Sequence, residues 1–217
     1  MVGLPASDDA CVYPFLIPSN AAAVVALRGA AEICRQVWGD EVLAAECASL
    51  AEVLDVGIKQ HGVVDGAAGE MFAYEVDGLG RSLVTDDANV PSLLSLPYLG
   101  YCGSADSTYL NTRAWLLSDA NPHFFNGSHA SGIGSPHTPE GHVWPIAIAI
   151  AALTSTVDGD VERALVTLEH TDGDTGRMHE SFHVDDPETF TREWFSWADM
   201  TYAHLVLRSL GFSSAAD

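Results

Sequence analysis

Two stretches of helical periodicity, joined only by Gly39-Asp40, set the first limit on what this chain can fold into. From about residue 20 to Trp38, the residues Val24, Leu27, Ala31, Cys34 and Val37 or Trp38 fall on one stripe. From Asp40 to about Gln60, Leu43, Cys47, Leu50, Leu54 and Ile58 repeat at the same spacing. Ser19 or Asn20 is placed to cap the first helix, and Gly39 to stop it. A joint this short leaves the pair one arrangement, an antiparallel helical hairpin.

The same pattern continues along the chain. Helices are expected near 20–38, 41–60, 105–118, 143–155, 160–169 and 188–210, the last opened by Pro187 and Thr189. The run 143–154 is almost wholly apolar, which predicts a helix buried on every side. Between these elements lie long polar loops, above all 121–142, and loops of that length inside a compact domain are functional or disordered. Met71–Val76 and Arg81–Thr85, flanking Asp77-Gly78-Leu79-Gly80, read as a small β-hairpin near 71–85. The expected class is therefore all-α. Helical hairpins alternating with polar loops suit an α/α toroid, whose connecting loops gather at one end.

Composition narrows the partners. With 30 acidic residues against 9 basic and a net charge of −21, the surface repels nucleic acid and anionic membrane. The apolar run 145–153 is too short to span a bilayer. Cys11, Cys34, Cys47 and Cys102 form no CxxC pair and no metal-type spacing. With no basic, apolar leader before them, a reduced, cytoplasmic location is expected.

Three loops put carboxylates beside aromatic residues: Asp8-Asp9, Asp86-Asp87, and Met178-His179-Glu180-Ser181-Phe182. The second is densest, with Asn89 and Ser92 nearby, Pro91 placed to open a helix and Pro97 to end it. Any one of these carboxylates is explained by a helix cap. Together they fit carbohydrate chemistry, in which acidic and amide side chains bind hydroxyls, rings stack on sugar faces, and a protonated and an ionised carboxyl cleave the bond. His137, His142, His179 and His183 offer a competing metal site, but no HExxH spacing accompanies them. A P-loop and a GxSxG elbow are both absent from the sequence.

These loops carry a resemblance. Ser7-Asp8-Asp9-Ala10 with Leu16-Ile17-Pro18-Ser19-Asn20, Asp86-Asp87-Ala88-Asn89-Val90-Pro91-Ser92-Leu93-Leu94 and Pro97-Tyr98-Leu99-Gly100-Tyr101 resemble glycoside hydrolase family 125. So do Tyr109 with Thr112-Arg113, Asn121-Pro122, Gly132-Ile133-Gly134-Ser135-Pro136-His137-Thr138, Trp144-Pro145, Met178-His179-Glu180-Ser181-Phe182 and Thr191-Arg192-Glu193-Trp194-Phe195. The match runs nearly end to end and in order. It implies an exo-acting α-1,6-mannosidase on an (α/α)₆ fold, inverting, with neither metal nor cofactor, and a mannose-containing oligosaccharide as partner. The general acid is then Asp8 or Asp9 and the general base Glu180. Asp86, Asp87, Asn89, His137, Thr138 and Arg192 are the candidates for holding the terminal sugar.

Family members carry substantial sequence before the Ser-Asp-Asp motif, which starts here at residue 7, and Leu4-Pro5-Ala6 stand where the family has Phe-Arg-Pro. Residues 1–217 are therefore expected to be one glycoside-hydrolase domain corresponding to the C-terminal part of the toroid. The alternative is a truncated, inactive sugar-binding fragment of such an enzyme.

Overall fold

The structure, a computed structural model, describes residues 10–212. The chain enters through a short strand β1 (Phe15–Leu16) and passes straight into α1 (Ile17–Ile33). Ser19 and Asn20 therefore lie inside the first turn rather than capping it, and Asn20 donates its side-chain amide to the Leu16 carbonyl at 2.6 Å. A π-helical turn, Cys34–Trp38, continues α1 and closes at Gly39, whose φ of 66° is a left-handed conformation that glycine adopts freely. Asp40 then caps α2 (Glu41–His61) by accepting the Leu43 amide at 3.0 Å.

The hairpin forms as expected, but of the stripe expected on α2 only the C-terminal end turns inward, with Ile58 buried and Leu54 partly so, while Leu43 is exposed. Ala44, Ala51 and Ile58 are buried, together with Asp55, while Leu50 is 51% and Val53 65% exposed. Small residues let the two backbones approach closely. Asp55 enters that face because Arg28, Lys59 and the Tyr101 hydroxyl all bond to its carboxylate.

After α2 come a hairpin, β2 (Val63–Gly66) with β3 (Gly69–Phe72), and a second, β4 (Glu75–Val76) with β5 (Ser82–Leu83). The expected strand over 71–76 is thus split. Met71 and Phe72 pair backwards with β2, and only Glu75 and Val76 pair across the Asp77–Arg81 turn and with β1. Residues 89–100 form a series of turns in place of the helix expected at Pro91.

Asp106 caps α3 (Ser107–Leu116) by accepting the Tyr109 amide. The fully buried Tyr109 donates its hydroxyl to the Leu94 carbonyl at 2.9 Å and so ties the turns to that helix. The hairpin β6 (Phe124–Asn126) with β7 (Ser131–Ile133) follows. Strand β8 (His142–Val143) then leads into α4 (Pro145–Leu153), which is buried almost throughout and packs against α5 (Asp160–Glu169) and α6 (Ser196–Ser209).

Between α5 and α6, β9 (Ser181–His183) pairs with β8 on one side and β10 (Asp186–Thr191) on the other. The last helix thus begins eight residues later than the expected 188, because 186–191 is a strand. Pro187 and Thr189 are compatible with both states. Pairing of Phe190 with the buried Phe182 decides for the strand, and Pro187 is tolerated because β10 is an edge. The described residues are therefore mostly helical but carry ten short strands, where the sequence led us to expect a single small hairpin. No helix among them is long and apolar enough to cross a membrane.

Candidate active site

A pocket opens where the chain following Ala10 meets β4 and the 85–87 loop, and Ala10, Val12, Tyr74, Glu75, Asp86 and Asp87 line it. His123, Ser135 and Pro136 complete it from the 121–142 segment. Asp8 and Asp9 lie outside the described residues, and Ala10, the residue that follows them, is on the pocket wall.

Asp86 is buried, and its two oxygens accept the amides of Leu93 (2.7 Å) and Leu94 (3.0 Å). It thus holds the turn beneath the pocket. Burial pushes its carboxyl up to about 8, outweighing those two amides, which favour the ionised form. The sign for stability follows from the unfolded value of about 4. Between about pH 4 and about pH 8 the native state holds a proton that the unfolded chain has released, so stability is greatest at the acid end and falls as pH rises. Asp86→Asn, with no proton to titrate, is expected to flatten this slope when urea midpoints at about pH 5 and about pH 9 are compared. An unchanged slope would show that Asp86 is ionised throughout.

Asp87 accepts the Asn89 amide on Oδ1 at 3.1 Å. Its Oδ2, and Oδ1 of Asn89, are buried with no partner. A buried oxygen acceptor without a donor is costly and rare, and it marks a place where a ligand or water completes the bonding.

Glu180 is also buried, immediately before β9, and Arg192 Nε donates to its Oε1 at 3.0 Å. The Arg192 guanidinium lies 5.8 Å from the Phe195 ring centroid, and Phe195 packs edge-on against Trp144 at 6.0 Å. Trp144 Nε1 in turn donates to Thr138 Oγ1 at 3.0 Å. Thr138 hydrogen-bonds back to Ser135 through its amide, and the His137 amide donates to Ser135 Oγ. Ser135 is on the pocket wall. A continuous set of contacts therefore joins Glu180 and Arg192, through Phe195, Trp144 and the 135–138 turn, to the pocket of Asp86 and Asp87.

The four histidines of the competing metal reading are otherwise engaged. His142 Nδ1 bonds to Ser181 Oγ, and its ring lies edge-on to that of His183 at 5.7 Å. Both ring nitrogens of His179 face carbonyl oxygens, and His137 sits on the 135–138 turn. Among the described residues no group of three or more His, Cys, Asp or Glu is placed to hold a metal ion.

Sequence reasoning missed Glu75 and His123. Glu75 is 3% exposed, and its Oε2 accepts the amides of both Val12 and Tyr13 at 2.7 Å, so it clamps the segment that follows Ala10. One signal was available, a carboxylate inside the apolar strand pattern Ala73-Tyr74-Glu75-Val76. His123, whose burial holds it below the usual imidazole range against the pull of Asp87, had none.

A family model described as metal-independent α-mannosidase (GH125) matches residues 4–207. The chain is 45% identical over 203 residues to the Meiotically up-regulated gene 157 protein of Schizosaccharomyces pombe, covering 93% of this chain and 40% of that protein. Among solved structures it matches a Streptococcus pneumoniae protein from a family of metal-independent α-mannosidases, in a non-productive substrate complex with α-1,6-mannobiose. That match has 45% identity and a TM-score of 0.92 over 95% of this chain and 49% of the other. A bacterial glucoamylase complexed with acarbose shares the fold at 16% identity and a TM-score of 0.73, over 91% of this chain and 34% of that one. The chain thus spans less than half the length of each of these relatives.

Proposed function

The chain belongs to the metal-independent α-mannosidases, glycoside hydrolase family 125, and from that membership we propose that its site removes terminal α-1,6-linked mannose with inversion. The observation that carries this reading is the pocket around Asp87, where a buried carboxylate oxygen has no donor. Sugar hydroxyls are such donors. The substrate class is supported by the α-1,6-mannobiose bound to the S. pneumoniae protein.

In the proposed mechanism Glu180 is the general base. Arg192 occupies its Oε1, leaving Oε2 to take a proton from the water that attacks the anomeric carbon. Asp8 or Asp9 is the general acid that protonates the departing glycosidic oxygen. Inversion needs acid and base roughly 6.5–9.5 Å apart, so that water fits beneath the sugar. Asp87, Asn89 and His137 hold the terminal mannose. Asp86 and Thr138 shape the surround, since both already spend their polar atoms on protein partners, and Arg192, which gives its Nε to Glu180, contributes the rest of its guanidinium toward the sugar. The fold is an (α/α)₆ toroid of which these 217 residues supply part.

Digestion of α-1,6-mannobiose followed by proton NMR tests the reading. β-Mannose is expected to appear first and to mutarotate afterwards. If α-mannose appears first, the reaction retains configuration and a carboxylate nucleophile must replace the base.

A further inference from the structure

His179 is fully buried in the turn that leads to β9. Its Nδ1 lies 2.9 Å from the carbonyl oxygen of Glu193, and its Nε2 lies 2.9 Å from that of Asp172. A carbonyl oxygen only accepts. A neutral imidazole has one N–H and one bare lone pair, so it satisfies one of these contacts and sets lone pair against lone pair in the other. Only the imidazolium, with two N–H groups, donates to both. The ring also lies flat on Phe190, centroids 3.7 Å apart and planes 2° from parallel, a stack that fixes its plane in either protonation state. The two polar contacts are what fit the charged state.

The two carbonyl partners of this stretch explain what the ring does. Residue 180 donates its amide to the Thr191 carbonyl at 3.2 Å, while the ring Nδ1 of residue 179 lies against the Glu193 carbonyl. These bonds bracket Arg192, whose φ of 47° is a left-handed conformation that a residue with a side chain rarely adopts. The bracketed conformation is the one in which Arg192 reaches Glu180. We infer that His179 is held as an imidazolium and is the positioning residue that fixes Arg192 against Glu180. The inference rests on the reading of Glu180 as the base, but its core, the protonation state and the bracket, does not need turnover. The charged groups on the elements packed against the ring are Glu180 and Arg192 themselves, Glu193, Asp172 and Asp199, with Asp186 and Glu188 on the strand that carries Phe190. The Asp172 carboxylate is spent on the Asp174 and Gly176 amides, and that of Asp199 on Met178 N and Trp194 Nε1.

Nitrogen-15 NMR of the histidine rings in the 217-residue chain at about pH 7 tests this directly, with the His179 signals assigned by their loss in His179→Gln. Both ring nitrogens are expected to resonate as protonated N–H. One bare nitrogen overturns the inference, whether or not the chain cleaves mannobiose. Where the chain cleaves mannobiose, His179→Ala is expected to lower kcat up to about 100-fold with KM within about threefold, the signature of a misplaced catalytic group. His179→Ala should also make a subsequent Arg192→Ala nearly silent, since both act on Glu180. Full additivity of the two substitutions, or a change confined to KM, overturns the positioning role.

Discussion

Glu180→Gln is expected to lower kcat on α-1,6-mannobiose by about 10²–10⁴-fold, the range lost with a general base, while mannose binding changes little. The amide keeps the shape of the carboxylate. Its oxygen still accepts from Arg192 Nε, so its NH₂ group faces the position of the attacking water and has no basicity to offer. Glu180→Gln keeps the shape and the Arg192 contact, and the melting transition separates loss of the base from loss of the fold. Turnover within about tenfold of wild type, measured with an intact melting transition, would remove Glu180 from the mechanism.

The second large effect is expected at Asp87. Its Oδ1 is spent on the Asn89 amide, its Oδ2 is buried with nothing to accept, and the residue lines the pocket. A hydrogen bond to a charged acceptor contributes about 1.5–3 kcal/mol, which corresponds to about 10–150-fold in affinity. Asp87→Asn keeps an oxygen for the Asn89 amide and presents NH₂ to the pocket, exchanging an acceptor for a donor. Asp87→Ala loses both. Both variants are therefore expected to weaken mannobiose binding by that factor in calorimetric titration, with only Asp87→Ala also loosening the 85–89 loop. If Asp87→Asn binds within about twofold of wild type, Oδ2 is not a sugar acceptor.

Several elements were legible because their causes are local. The start of α2 after Asp40 was read as it is, and Asp40 caps that helix by accepting an amide three residues on, a short-range geometry that sequence spacing encodes. The unbroken apolar run 145–153 could only be a buried helix, since no face of it suits water. The loop carboxylates were recognisable as a set because polar residues were concentrated between apolar elements, and the order of their motifs carried the family.

Other features depended on contacts between distant residues. Periodicity on α2 allowed a stripe through Leu43 and Leu50 as well as one through Ala44 and Ala51. Packing against α1 chose the second, because small side chains let the helices approach. Residues 186–191 carried helix-start signals, yet became a strand once Phe182 and Phe190 had each other to pair with. The bonding of Glu75 to Val12 and Tyr13 spans more than sixty residues of chain, and no local pattern announces it. The sequence by itself therefore determined where the six helices lie, apart from the start of the last, and the family. The tertiary structure decided which face of each helix is buried, where strand replaces helix, and which carboxylate meets which cation. Burial and long-range hydrogen bonds are properties of neighbours in space, and a linear sequence states only neighbours along the chain.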